Sequence, residues 1–191
     1  MPRGVHVARA LALALALLPM AMAQAPAGAS PDVIVISVGD GDTIRVRQDG
    51  TVITVRLACI DAPETAQRPY GQQARSYLQQ RLPVGSAVRL DGKTTDRYGR
   101  LVAEVFSGIN INLAMVEDGQ AFAYRQYLGD CNAKEYLDAE YRASRRRYGV
   151  WQVEGGITWP WDFRRQRRGV VPGDDFKHTP KPVQNEQTEP R

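Results

Sequence analysis

Between Val33 and Leu57 the chain carries three short β-type runs, and this stretch restricts the fold more than any other. Val33 to Val38 is a β-branched run, Thr43 to Arg47 alternates with Ile44 and Val46 on one face, and Thr51 to Leu57 alternates again. Gln48-Asp49-Gly50 separates the last two, and Asp-Gly readily takes the positive φ of a tight hairpin turn. Three successive antiparallel strands are the simplest reading.

Side-chain parity divides these strands. Ile53, Val55 and Leu57 share one face of the third, so Arg56 stands on the other face with Val52 and Thr54. Asp42 has the parity of Ile44 and Val46, which places it at the mouth of the space they fill. A carboxylate there needs a partner.

The pattern then predicts a helix from Pro69-Tyr70-Gly71 to about Arg81, with Ala74, Leu78 and Leu82 as its apolar stripe and Pro83 as its stop. Two more strands follow, Ser86 to Leu90 and Leu101 to Phe106, separated by a polar loop from Asp91 to Arg100. A short helix from Asn112 to Asp118 buries Leu113 and Val116 and stops at Gly119. A longer one, Asn132 to Arg147, is capped by Asn132, packs through Ala133, Leu137 and Tyr141, and ends at Gly149, after which Trp151 folds back on the core. Five strands with interposed helices match a β-barrel with helices (α+β), a five-stranded OB-fold Greek-key barrel. An open α+β sheet with helices on one face fits the same count.

The ends read differently. Arg3 and Arg9, the Ala/Leu run from Ala10 to Leu18, and Ala21-Met22-Ala23 form a secretory signal peptide over residues 1–23. Pro19 interrupts a run shorter than a bilayer needs, so no stable membrane span is expected after cleavage. Residues 24–31, rich in Ala, Pro, Gly and Ser, are a flexible leader, and residues 32–161 are the folded domain. Residues 162–191, basic and then proline-rich, are expected to be a disordered tail. Loss of Arg3 and Arg9 lowers the formal charge of +4 by two, leaving the basic character concentrated at Arg145 to Arg147 and at Arg164, Arg165, Arg167 and Arg168. Export, to periplasm or exterior, also gives Cys59 and Cys131 an oxidising compartment in which to pair, and a single disulfide is expected.

The groups suited to chemistry cluster at strand ends. Asp42 and Asp61, with a backbone carbonyl and water, would satisfy a hard cation such as Ca²⁺. His6 leaves with the signal peptide and His178 lies in the tail, so no soft-metal site is apparent. Glu64, stiffened by Pro63, can orient and deprotonate a water. Arg56 and Arg100 are planar, permanent cations that match phosphate oxygens. Together these describe metal-assisted phosphodiester hydrolysis.

The ordered set Val38-Gly39-Asp40-Gly41-Asp42-Thr43, Arg56-Leu57 through Asp61-Ala62-Pro63-Glu64-Thr65, Thr95-Asp96-Arg97-Tyr98-Gly99-Arg100 and Gly119 to Tyr124 resembles the staphylococcal-nuclease (thermonuclease) family. The resemblance covers about Pro31 to Trp151. It implies an OB barrel with three helices and Ca²⁺-dependent endonuclease cleavage of single- and double-stranded DNA and of RNA, leaving 3′-phosphate ends; a monomer is expected. It assigns Asp42, Asp61 and the Ala62 backbone carbonyl to the metal, Glu64 to the attacking water, Arg56 and Arg100 to the phosphate, and Tyr98 and Tyr124 to the nucleotide pocket. Ala62 stands where the best-known member has threonine, and the loop from Glu64 to Tyr70 is shorter than in that member. The family topology also brings Cys59 and Cys131 close. The competing reading is a non-catalytic single-stranded nucleic-acid-binding OB module; a third is an interaction protein using its basic tail.

Overall fold

The computed structural model describes residues 33–169; the expected signal peptide, the leader, residue 32 and residues 170–191 of the tail lie outside them. Strands β1 (Val33–Val38), β2 (Thr43–Gln48) and β3 (Thr51–Leu57) form the antiparallel succession expected, with Val46 opposite Ile53 and Ile44 opposite Val55. Asp49 and Gly50 close the β2–β3 turn at φ 49° and 77°. Both central positions are left-handed, as the tight turn that matches strand twist requires.

After the short β4 (Ile60–Asp61), helix α1 (Tyr70–Arg81) turns Gly71, Ala74 and Leu78 inward, and Leu82 is fully buried at its end. A side chain at Gly71 would lie 2.1 Å from the Glu64 carbonyl oxygen, so only glycine lets α1 seat the loop that carries Glu64.

Strand β5 (Ala87–Thr95) pairs with β1 and with β6 (Leu101–Ser107), and β6 runs parallel to β3. That last pairing closes a five-stranded mixed barrel and excludes the open sheet. Val35, Ile44, Val46, Val55, Ala103 and Val105 are fully buried and fill it. Asp91 to Thr95, read as loop from their polarity, belong to β5, which follows β6 through an irregularity between Gly92 and Thr94. Backbone pairing outweighed composition there.

The short β7 (Ile109–Asn110) leads into α2 (Ile111–Glu117), capped by the Asn110 side chain, which accepts from the Leu113 amide at 3.1 Å. α2 buries Ile111, Met115 and Val116, whereas Leu113 is only partly buried, in contrast to the expected Leu113–Val116 pair. Asn112, wholly buried, ties three segments together. Its amide donates to the carbonyls of Ala58 (2.9 Å) and Ala103 (3.0 Å) and its oxygen accepts from the Val105 amide (3.0 Å). β8 (Phe122–Ala123) then pairs with β4, opposing Phe122 to Asp61.

α3 (Ala133–Arg146) begins at Asn132 as expected but packs through another face. Tyr136, Ala139, Glu140 and Ala143 are buried, while Leu137 is 39% and Tyr141 64% exposed. The polar members of the buried face are satisfied inside: the Tyr136 hydroxyl donates to Glu104 at 2.7 Å, and Glu140 accepts from the Ala123 amide at 3.0 Å and pairs with Arg125. The helix ends with Arg147 in the left-handed region at φ 55°, two residues before the expected stop at Gly149. Trp151 packs edge-on to Phe122 at 5.1 Å, as expected. A disulfide joins Cys59 to Cys131, linking the segment after β3 to the start of α3.

The basic tail does not begin as disorder. Pro160 occupies the first turn of α4 (Pro160–Arg167), a position where a missing N–H costs nothing. Trp159 and Trp161 pack around Phe122 at 6.3 and 6.2 Å. Among the described residues no helix is long and apolar enough to cross a membrane.

Candidate active site

The acidic turn between β1 and β2 is folded by its own side chains. Asp40 accepts from the Asp42 amide at 3.2 Å, and Gly39 donates to the Thr43 carbonyl at 2.8 Å. Asp42, 6% exposed, accepts from the Ala62 amide at 2.8 Å, so the β1–β2 turn and the β4 segment are joined at the barrel mouth. Asp61 is fully buried, fixed by the pairing of β4 with β8.

Arg56 crosses between them. Its Nη2 donates to Asp61 Oδ1 at 2.8 Å, and its Nη1 forms an ion pair with Asp42. Strand parity expected Arg56 on the face away from the core, free to grip phosphate. The burial alternation of β3 keeps that face, with Val55 and Leu57 buried and Arg56 between them, but the guanidinium is already paired with two buried carboxylates, which need a cation. Nη1 is buried, and its partner among the described residues is the Asp42 carboxylate.

A third cation enters from the tail. Arg164 of α4 donates from Nη2 to Asp61 Oδ2 at 2.7 Å and from Nη1 to Asp61 Oδ1 at 3.1 Å and to Glu64 Oε1 at 2.7 Å. The Glu64 amide is held by Gln67 Oε1 at 2.9 Å, and Gln67 Nε2 donates to the Thr158 carbonyl at 2.7 Å, tying this loop to the approach to α4. Arg164, Trp161 and Gln67 escaped the sequence reading. The available signal was Trp159-Pro160-Trp161-Asp162, a proline at a helix start with an acid in the first turn.

Burial pushes the Asp61 carboxyl up, although Arg164 and Arg56 pull against it. Asp40 is raised by burial and by the neighbouring Asp42 charge. Burial works against the charged Arg56 and Arg164, but their carboxylate partners prevail and hold both above the usual guanidinium value.

Arg100 sits across the opening, with Nε donating to Asp96 Oδ2 at 2.7 Å. Its guanidinium lies 5.4 Å from the ring centre of Tyr98, which is 68% exposed. Tyr124 lies parallel to Trp161, with ring centres 5.1 Å apart and 3° between planes. Burial and the charge of Asp61 raise its hydroxyl pKa. Asp42, Arg56, Asp61, Ala62 and Glu64 line one cleft of about 680 Å³, and Tyr98, Arg100 and Tyr124 line the same cleft.

Among the described residues no three His, Cys, Asp or Glu side chains group as a metal site. The donors at hand are hard oxygens, the carboxylates of Asp42 and Asp61, and they suit a hard cation that keeps several waters. The Arg164 guanidinium shows that this corner attracts positive charge, since it spans Asp61 and Glu64. Ala62 meets Asp42 through its amide N–H.

The staphylococcal nuclease homologue family model matches residues 54–153, more than half of the chain. The micrococcal nuclease of Shigella flexneri is 36% identical over 139 residues, covering 68% of this chain and 78% of that protein. Protein ParB of Escherichia coli is 37% identical, covering 65% and 73%. An uncharacterized endonuclease of Haemophilus influenzae is 42% identical over 117 residues, covering 61% and 62%. With the closed barrel and the acidic, arginine-bridged cleft, these similarities place the chain in the staphylococcal nuclease homologue family, a family of metal-dependent nucleases, and it is a nuclease.

Proposed function

We propose that the protein is an exported, Ca²⁺-dependent endonuclease that hydrolyses DNA and RNA with low sequence specificity and leaves 3′-phosphate ends. The observation that carries this reading is the bridging of Asp42 and Asp61 by Arg56 in the cleft that also holds Glu64 and Arg100. Asp42, Asp61 and the Ala62 carbonyl would hold the cation, which when bound supplies charge against the phosphate oxygens.

Glu64 orients a water and takes its proton as the water oxygen bonds to phosphorus. The P–O5′ bond breaks, the leaving oxygen takes up a proton from solvent water, and the phosphate stays on the 3′ side. Arg56 and Arg100 give hydrogen bonds to the phosphoryl oxygens as negative charge builds there. Tyr98 and Tyr124 offer ring faces to the bases, and stacking tolerates any base.

Export is supported by the signal-peptide pattern of residues 1–23 and by the Cys59–Cys131 disulfide, which suits an oxidising compartment. The test is cleavage of single-stranded DNA, duplex DNA and RNA in calcium, magnesium or chelator, with the product ends identified. Calcium-supported cleavage to 3′-phosphates is expected. Products carrying 5′-phosphates, or equal cleavage in chelator, would overturn the reading.

A further inference from the structure

Helix α4 occupies the two surfaces that the proposed reaction needs. Arg164 takes up both oxygens of Asp61 and one of Glu64. One turn earlier, Trp161 lies flat on Tyr124 at 5.1 Å and 3°, where a base would stack. A guanidinium therefore stands against the carboxylates proposed for a cation and its water, and an indole stands against the ring proposed for a base.

The mounting of this helix is one-sided. Its start is anchored: Gln67 holds the Thr158 carbonyl, the Ile157 amide donates to the Val150 carbonyl at 3.0 Å, and Pro160 is buried. Trp159 packs against Phe122 and lies under the Arg125 guanidinium at 5.6 Å. Beyond that anchor Arg165, Gln166, Arg167 and Arg168 are exposed, and the hydrogen bonds and ring stacking that tie α4 to the site residues are those of Arg164 and Trp161. An anchored start and a two-point clasp make a strap that can swing without unfolding the barrel.

We propose that α4 is an autoinhibitory strap released by the divalent cation. This rests on the reading of Asp61 as a cation ligand. The cation and the Arg164 guanidinium compete for the same Asp61 oxygens, and their like charges disfavour joint occupancy. When the cation binds, Arg164 leaves Asp61 and Glu64, the clasp is reduced to Trp161 alone, and a base can displace the indole from Tyr124. Closed, the strap keeps Glu64 paired and the ring covered, so the enzyme stays inactive until it meets both calcium and a strand.

The test is calorimetric titration of calcium into the mature protein without nucleic acid, for wild type, Arg164→Gln, Arg164→Lys and Arg165→Gln, with amide exchange of residues 161–168 followed in parallel. If the closed strap dominates, the apparent affinity is reduced by the fraction open, so Arg164→Gln tightens calcium binding by about tenfold. Arg164→Lys, which keeps the charge, tightens it less, and Arg165→Gln leaves it unchanged. In the wild type, calcium accelerates amide exchange across residues 161–168. Equal or weaker calcium affinity in Arg164→Gln would overturn the strap while leaving the calcium site standing. Tighter binding with exchange unaltered by calcium would overturn release of the helix. No calcium binding by any of the four proteins would overturn both the strap and the cation reading beneath it.

Discussion

Arg56 Nη2 lies 2.8 Å from Asp61 Oδ1 while the same guanidinium pairs with Asp42, so one strand residue holds together two acids that arrive from separate turns. The Arg56 and Asp42 side chains are only 14% and 9% exposed, and removing Arg56 leaves Asp42 without a cation among the described residues, whereas Asp61 keeps Arg164. Arg56→Ala is expected to cost about 3–5 kcal/mol of stability as well as activity. Pairing it with Asp42→Asn should return part of that stability and none of the activity. Urea unfolding of the two single variants and the double variant, beside cleavage assays, checks this.

Tyr98 stands 68% exposed beside Arg100, so it can be truncated without opening the core. Loss of one stacked base costs roughly 1–3 kcal/mol. Tyr98→Ala should therefore raise KM for single-stranded DNA by about tenfold with kcat little changed. Steady-state kinetics separate the two.

Glu104 provides a pH handle away from the cleft. Burial opposes its ionisation, but hydrogen bonds from Tyr136, Lys93 and Asn110 outweigh that and hold its carboxyl below the ordinary glutamate value. A depressed folded-state pKa contributes stability that is present above the unfolded value, about 4.3, and is lost as pH falls through the folded one. Glu104→Gln is thus expected to destabilise clearly at neutral pH and progressively less below about pH 4. Tyr136→Phe should cost about 1–3 kcal/mol at pH 7 by removing one of the donors to the charged Glu104, whose Oε1 keeps only Asn110. Urea midpoints across pH would show a constant gap if Glu104 were not the source.

The Cys59–Cys131 bond closes a loop with a sequence separation of 72. A loop this long places the expected loss on reduction at about 2–5 kcal/mol. Thiol titration of the denatured, unreduced protein should find no free thiol, and reductant should lower the urea midpoint. An unchanged midpoint would remove the disulfide from the stability account.

What was legible in the sequence is what local chemistry decides. Asp49-Gly50 announced the hairpin, alternation placed Ile44 and Val46 inside, and parity put Asp42 at the barrel mouth. Where polar groups find partners at a distance, apolar spacing misled. Leu137 and Tyr141 looked like the inner stripe of α3, but Tyr136 and Glu140 are inside because Glu104, Arg125 and the Ala123 amide await them. β5 runs on through polar residues because β6 supplies its hydrogen bonds. Parity gave the face of Arg56 but not its pairing with Asp42 and Asp61, and the role of Arg164 was invisible because its partners lie 100 and 103 residues earlier in the chain.

The most direct test compares hydrolysis of single-stranded DNA by wild type and Glu64→Gln at saturating calcium and in chelator. Glutamine keeps an oxygen that can accept from Arg164 but cannot take a proton from water. The wild type should cleave in calcium and stop in chelator, and the variant should bind DNA equally while turning over about 10²–10⁴-fold more slowly. Undiminished cleavage by Glu64→Gln, or by the wild type in chelator, would contradict metal-assisted hydrolysis at this site.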